Sequence, residues 1–380
     1  MKLPVHISIN TTILLVFFVL STFLHQPLYF LMPFLACAYL YTNKGLRVPN
    51  RRFERFFISI LIVVFAFFAI QTVLALEVKI FAVKGVLRYI VYATFGLMIL
   101  QFDNLDIKSF FKAICLLFVF SLPLAFYQFT ALGRYQGFFS HANHIAYVLV
   151  ICLYFLVFHR PFGRKTNLLF TLAILLSLLL TKTSGAFLVV ILMVVYNFFF
   201  SKKVSLKNKV ISLVGIAALT PIFVFYSDKI VGQYNTLQYL NADFILPRVR
   251  NFRPGGYGSL VWRVIYWLKI YFNFIQEAWY NIFFGIGIDH LTKGYMPYKF
   301  MYTDPHNDFI KIGVEFGLAG LVLFLNLIRN LFFILFKNLN LILILIIPLW
   351  FDNAIVSFPF IIATLLLYVY EYKAVLSQQS

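Results

Sequence analysis

The feature that most constrains this chain is its succession of apolar runs, each broken by a short polar link. A helix needs about 20 mainly apolar residues to cross the hydrocarbon core of a bilayer. Runs of this kind lie near residues 9–24, 27–42, 56–76, 80–100, 109–131, 143–158, 166–181, 184–200, 208–226, 312–335, 339–350 and 358–372. Composition agrees, since 62% of the residues are hydrophobic and 12% are charged, whereas a soluble domain carries about 25% charged residues. A water-soluble globule of that make-up could not cover its surface with polar groups. The expected fold is all-α, a polytopic membrane protein of about 12 transmembrane helices. A soluble enzyme, a secreted disulfide scaffold, a coiled coil and a disordered tail are all excluded.

Charge placement tests the helix count. The net charge is +19, but the cations punctuate the apolar runs instead of clustering on a soluble face, so no nucleic-acid partner is expected. With a cytoplasmic N-terminus, the cytoplasmic links are 43–55 (Lys44, Arg47, Arg51, Arg52, Arg55), 101–112 (Lys108, Lys112), 159–165 (Arg160, Arg164, Lys165), 201–209 (Lys202, Lys203, Lys207, Lys209) and the link holding Arg329 and Lys337. Lys2 and Lys373 add to the same side at the two ends. The short outer links hold only Lys79, Arg134 and Lys182. This alternation obeys the positive-inside rule and places both termini in the cytoplasm. Cys37, Cys115 and Cys152 all sit inside apolar runs, which argues against a disulfide framework or a thiolate metal site. The first apolar run lacks a small-residue cleavage pattern and leads into a second, unlike a cleaved signal.

Three regions follow: an N-terminal transmembrane bundle over 1–226, a large outer (periplasmic) loop over 227–305, and C-terminal transmembrane helices over 306–380. The outer loop is too long for a simple connector. Its cations include Arg248, Arg250, Arg253 and Arg263, and cations held outside the cytoplasm call for an anionic partner. Within it, 259–280 reads as an amphipathic helix, with Val261, Ile265, Leu268, Phe272 and Ile275 on one face. Trp262, Trp267 and Trp279 suit a helix lying among lipid headgroups; a loop helix packed on the bundle fits the pattern equally well.

Candidate chemistry centres on Asp304-Pro305-His306-Asn307-Asp308, directly before the tenth run. Asp304 suits a helix N-cap and Pro305 the first helical position, which puts His306 in the first turn. A neutral imidazole there can accept a proton from a hydroxyl nucleophile; the alternative is a capped helix start whose histidine meets headgroups. His141 and His144 flank Ala142 and Asn143, but a pair without clustered carboxylates or thiolates is a polar loop more readily than a metal site. Gly285-Ile286-Gly287 has no strand–helix unit around it, so it reads as a turn and not a nucleotide loop. Lys84 and Arg88 stack four residues apart on one helix face, about 6 Å along the axis. Cations inside a membrane segment either snorkel to headgroups or serve function, and here the functional version is a grip on a lipid-linked diphosphate.

The stretch His306-Asn307-Asp308-Phe309-Ile310-Lys311, running to Glu315-Phe316-Gly317-Leu318-Ala319-Gly320-Leu321, resembles the signature of the O-antigen ligase and polymerase family. Three further blocks match in order. Gly133-Arg134 through Gly137-Phe138 and Asn143 resembles its outer-loop block, and Thr181-Lys182-Thr183-Ser184-Gly185 resembles its small-residue helix start. Arg263 before Trp267, followed by Phe284-Gly285-Ile286-Gly287, resembles its loop arginine block. The resemblance implies a glycosyltransferase of the bacterial inner membrane, with its active site at the periplasmic face and neither metal nor cofactor. Its donor is an oligosaccharide on undecaprenyl diphosphate, its acceptor is a sugar hydroxyl, and a chain-length regulator protein is a partner it leaves room for. Carried over by position, His306 is the base and Arg263 binds the diphosphate. Arg248, Arg250, Arg253, Arg134, Lys182, Lys84, Arg88, Asn143 and Asn307 are the candidate contacts to diphosphate and glycan. Family members often carry an arginine near Ser184; this chain has Lys182 instead.

The leading expectation is an O-antigen polymerase of lipopolysaccharide biosynthesis that joins lipid-linked repeat units with inversion at the anomeric carbon. The rival is the ligase that moves the finished glycan onto lipid A–core. A flippase is a third class, but ion-coupled carriers place carboxylates near the midplane, and the acidic residues here lie in loops or at segment ends, with Glu315 the main exception.

Overall fold

The computed structural model describes residues 9–23, 85, 88, 89, 92, 95, 106–139, 141–200, 239, 241–251, 258–291, 298, 305–335, 338–352, 354 and 357–377. The expected segments 27–42, 56–76 and 208–226 lie outside the described residues, as do Lys84, Arg253 and Asp304. Among the described residues all regular structure is helical. The helices are α1 (Ile9–Phe23), α2 (Ile107–Phe120), α3 (Leu122–Leu132), α4 (Ala142–His159), α5 (Arg164–Thr181), α6 (Ser184–Phe200), α7 (Ala242–Arg250), α8 (Gly258–Phe274), α9 (Trp279–Phe284), α10 (Asp308–Glu315), α11 (Gly317–Leu335), α12 (Leu339–Phe351) and α13 (Phe358–Ser377). Two of them, α4 and α5, are long and apolar enough to cross a membrane, and α2 with α3 makes a third if the pair is one broken span.

Contacts group the chain into two compact units, Met1–Val190 with Leu323–Ser380, and Ile191–Val322. In the first unit α4 is the central element. Every residue from Ile145 to Leu156 is buried, the signature of a helix apolar on all sides. It packs against α5, α13, α2 and α12. By contrast α5 turns Leu168, Leu169, Leu172 and Leu179 outward, a leucine face suited to lipid. The expected span 109–131 is broken, because α2 and α3 meet at 49°. Pro123 has no N–H to give and its ring crowds the preceding turn, while Ser121 Oγ donates to the Phe118 carbonyl at 2.9 Å.

The helix ends of this unit gather in two polar groups. At one, Glu371 Oε1 lies 2.7 Å from His159 Nε2 and accepts from Tyr154 Oη at 2.7 Å, and Asn338 Nδ2 donates to Tyr154 Oη at 2.6 Å. These bonds join the ends of α4 and α13 to the start of α12. At the other, Arg134 Nη2 donates to Asn143 Oδ1 at 3.0 Å, Thr183 Oγ1 donates to the same oxygen at 3.2 Å, and Gly185 lies beside Phe351. The first group contains links that the positive charges assign to the cytoplasm, and the second contains links that they assign to the outside.

The second unit is organised around α8, which is buried on two stripes. Val261 and Ile265 pack with Ile245 and Val249 of α7. Tyr266, Ile270 and Phe274 pack with Ile286, Leu291, Tyr298 and Val314. The expected single face is therefore corrected: Phe272 and Ile275 are exposed, because α8 meets protein on two sides and its buried positions are not one stripe.

Where a continuous span 312–335 was expected, the helix stops at Glu315 and restarts at Gly317. Gly285-Ile286-Gly287 presses against the break, with Ile286 N–H donating to the Val314 carbonyl and Gly287 N–H to the Glu315 carbonyl, both at 3.0 Å. Gly285 and Gly317 have φ of +88° and +69°. A Cβ on Gly285 would strike the Glu315 carbonyl, and one on Gly317 would strike Gly285 N and the Phe283 carbonyl. Two backbones touch there because both side chains are missing. Gly285→Ala is expected to destabilise the protein by about 2 kcal/mol or more. Gly313→Ala, whose Cβ meets only ordinary contact with Leu321 at 3.6 Å, is expected to be neutral or stabilising by up to about 1 kcal/mol. Thermal unfolding of the purified variants in detergent measures both.

Candidate active site

The candidate base is placed by the start of α10. Its N-cap is Asn307, in extended conformation, with Oδ1 accepting the Ile310 N–H at 3.0 Å. This corrects the expectation that Asp304 caps the helix and His306 lies in its first turn. Asparagine with its short carbonyl reaches the third amide of the helix, so the helix begins at Asp308 and His306 stands just before the cap.

His306 has φ of +52°, a left-handed conformation that costs a non-glycine residue about 1 kcal/mol. Such strain persists where the surroundings over-determine it, and α8 supplies them. Trp267 Nε1–H donates to the Pro305 carbonyl at 2.7 Å. Trp262 meets the imidazole edge to face, with ring centroids 5.8 Å apart. Trp262 is itself stacked on Tyr266 at 4.8 Å. The half-buried histidine is thereby fixed to a helix, which sets its ring more sharply than a loop could.

Arg263 occupies the same helix, one residue after Trp262 and one turn before Trp267. Residues four apart share a helix face, so Arg263 lies on the face whose Trp267 holds Pro305. It is half-buried, and its Nε–H is buried without an acceptor among the described residues. Buried donors are nearly always satisfied, which suits an arginine that receives an anionic ligand.

The other sequence-predicted residues fall in different settings. Arg248 spends its guanidinium on its own helix, donating to the Phe244 carbonyl at 2.9 Å and lying 3.4 Å from that ring's centre. Arg250 is exposed in the last turn of α7. In the first unit, Arg134 and Asn143 are joined as described. Burial pulls the Arg134 guanidinium below its ordinary pKa, opposed by the charge of Asp352. Lys182 is exposed in a left-handed C-cap, with its ammonium 4.9 Å from the centre of the Phe129 ring. Arg88 is helical and half-buried. The rings of His141 and His144 are 5.8 Å apart, and His141 Nδ1 accepts the Asn143 N–H as a helix cap.

Sequence reasoning quoted Thr183, Asp308, Lys311 and Glu315 within its motifs but gave them no role, and it did not foresee that the charges of α10 are buried. Asp308, Lys311 and Glu315 are 0%, 1% and 0% exposed. Lys311 Nζ lies 3.4 Å from Asp289 Oδ1, in the loop after Gly287. Their spacing of three and then four residues is one helix face, a signal that could have been read. Burial and nearby Glu277 raise the pKa of the Tyr298 phenol, so it stays protonated within the cluster beneath α10.

Residues 168–325 match the family model described as O-antigen ligase. No curated protein matches the chain. The match contains α8, Arg263, His306 and all of α10. Asn307→Ala is expected to cost about 1 kcal/mol of stability, whereas Asn307→Asp retains a capping oxygen and most of that stability. Comparing the thermal transitions of the two variants separates capping from any contact with glycan.

Proposed function

We propose that this chain, whose residues 168–325 match the family model described as O-antigen ligase, transfers a glycan from a lipid diphosphate to a sugar hydroxyl at the periplasmic face of the inner membrane. The observation that carries the reading is the shared mounting of His306 and Arg263. One flanks α8 through Trp262 and Trp267, and the other projects from that helix between them.

The chemistry needs little else. His306 takes the proton of the acceptor hydroxyl as its oxygen attacks the anomeric carbon. The bond from that carbon to the diphosphate breaks, and undecaprenyl diphosphate leaves with the electron pair. Arg263 offers paired N–H donors to the charge gathering on the leaving group. Attack opposite the leaving group inverts the anomeric carbon. Arg250 and Arg253 on the same loop supply further contacts to diphosphate and glycan. The positive-inside pattern supports an active site outside and both termini in the cytoplasm.

Chain growth from lipid-linked repeat units is the reaction we put first. Transfer to lipid A–core is the second reading, and the O-antigen ligase description of the matched model favours it. Incubating the purified protein with a defined undecaprenyl-diphosphate-linked repeat decides between them. Elongation without further acceptor is expected, whereas product formed only when lipid A–core is added assigns the ligase.

His306→Ala is expected to lower transfer by about 10²- to 10⁴-fold, the usual worth of a general base, with normal amounts of protein in the membrane. Arg263→Ala should lose nearly as much, and Arg263→Lys should recover only part because the planar fork is gone. Rates with the lipid-linked repeat, normalised to purified folded protein, measure all three; an unimpaired His306 variant would remove the base.

A further inference from the structure

We infer that the buried Asp289–Lys311 ion pair is a positioning device that sets where His306 stands. The inference rests on the reading of His306 as the base, and it gives a role to Lys311, which the quoted motif contains, and to Asp289, which none of the quoted motifs contains.

Lys311 is 1% exposed and Asp289 7%, with 3.4 Å between Nζ and Oδ1. Removing two charges from water is costly, and a well-packed apolar pair of similar volume is often as stable or more so. In a chain that is 62% hydrophobic, apolar substitutes are the common currency, so stability alone is a poor reason for this pair. Registry is a better one.

The loop 285–291 reaches α10 by three kinds of contact. The amides of Ile286 and Gly287 hold the last carbonyls of α10, at Val314 and Glu315. Ile286 and Leu291 share an apolar cluster with Val314. These fix the C-terminal end of the helix, but backbone bonds and apolar packing tolerate rotation of the turns before it. The ion pair acts one turn earlier, where a directional charge contact selects one rotation about the helix axis. Asp289 is itself held in a left-handed conformation, φ +56°, next to His290, whose Nδ1 lies 3.1 Å from the Ile288 carbonyl.

From Lys311 the path to the base is short. Its N–H donates to the Asn307 carbonyl at 3.0 Å, Asn307 caps the helix, and His306 precedes it. Turning α10 carries Asn307 with it and shifts the imidazole against Trp262, which belongs to the same apolar cluster as Val314. An error of about 1 Å in a catalytic group can cost about 10²-fold in rate. Lys311 and Asp289 are therefore positioning residues, acting through His306 and touching no substrate.

The test uses the purified full chain with a lipid-diphosphate-linked repeat and the variants Lys311→Met, Asp289→Asn, Lys311→Arg, the reversed pair Lys311→Asp/Asp289→Lys and the apolar pair Lys311→Met/Asp289→Leu. Two measurements are made on each: kcat with KM, and the rate at which diethyl pyrocarbonate modifies His306, read by mass spectrometry with His159 as internal reference. Expected are a fall in kcat of about 10²-fold in the two single charge deletions, little change in KM, partial recovery in Lys311→Arg and the reversed pair, and a changed modification rate at His306 but not at His159. Unchanged kcat and His306 modification in Lys311→Met would overturn the inference, as would full recovery of kcat in the apolar pair. His306→Ala run alongside keeps the two ideas apart. Full transfer there defeats the base, while the modification rate still reports whether the pair places His306.

Discussion

The second unit depends on a backbone-to-backbone contact that only missing side chains permit. Gly285 and Gly317 both take positive φ, and each occupies the space where the other's neighbourhood would meet a Cβ. Their closeness lets two amides of the 285–287 turn hold the last carbonyls of α10, groups that a helix end leaves without partners. It also ends α10 after eight residues. Asp308, Lys311 and Glu315 of this short helix are buried, and Lys311 meets Asp289 of the loop that holds the break. The glycine contact thus sets where the helix after the histidine ends.

The site shows how a loop residue can be given the precision of a helical one. His306 has no helical backbone of its own, yet Trp267 holds the carbonyl before it, Trp262 faces its ring, and the cap residue after it is bonded into α10. Two tryptophans divide this task, since Trp262 packs against the apolar cluster while the Trp267 indole N–H bonds a carbonyl. Arg263 uses the same helix as its base. On the proposed reading, a general base and an anion-binding group fixed to one element keep their relative geometry, and pre-set geometry is a large part of what such a transfer requires.

Much of this was legible in the sequence. Helices α4, α5 and α12 fall within two residues of the apolar runs that announced them, because a run bounded by Arg160 or Lys182 has few alternatives in lipid. The histidine and the arginine were singled out by motif and charge, and the structure sets His306 against Trp262 of α8, the helix that carries Arg263. What escaped notice depends on partners remote in sequence. The amphipathic period of 259–280 was real, but α8 is covered on two sides and so buries Tyr266, Ile270 and Phe274 in place of Phe272 and Ile275. Asp304 was taken as the cap because Pro305 looks like a first helical position, and Asn307, which caps the helix, was read only as a substrate contact. Gly285-Ile286-Gly287 was read as a plain turn, since its use lies in carbonyls at 314 and 315 that no local pattern reveals. Reading 312–335 as one continuous span hid the charged face of α10, although Gly317 was there to mark the break.

The central claim is that one imidazole and one guanidinium serve the same transition state. A double-mutant cycle on the transfer rate tests it most directly, using His306→Ala, Arg263→Ala and the double variant with one defined lipid-linked repeat. Residues that act as a unit are strongly non-additive, so the double variant is expected to be hardly slower than the worse single variant. Losses that multiply, with the double variant slower by the product of the two single effects, would contradict a shared site.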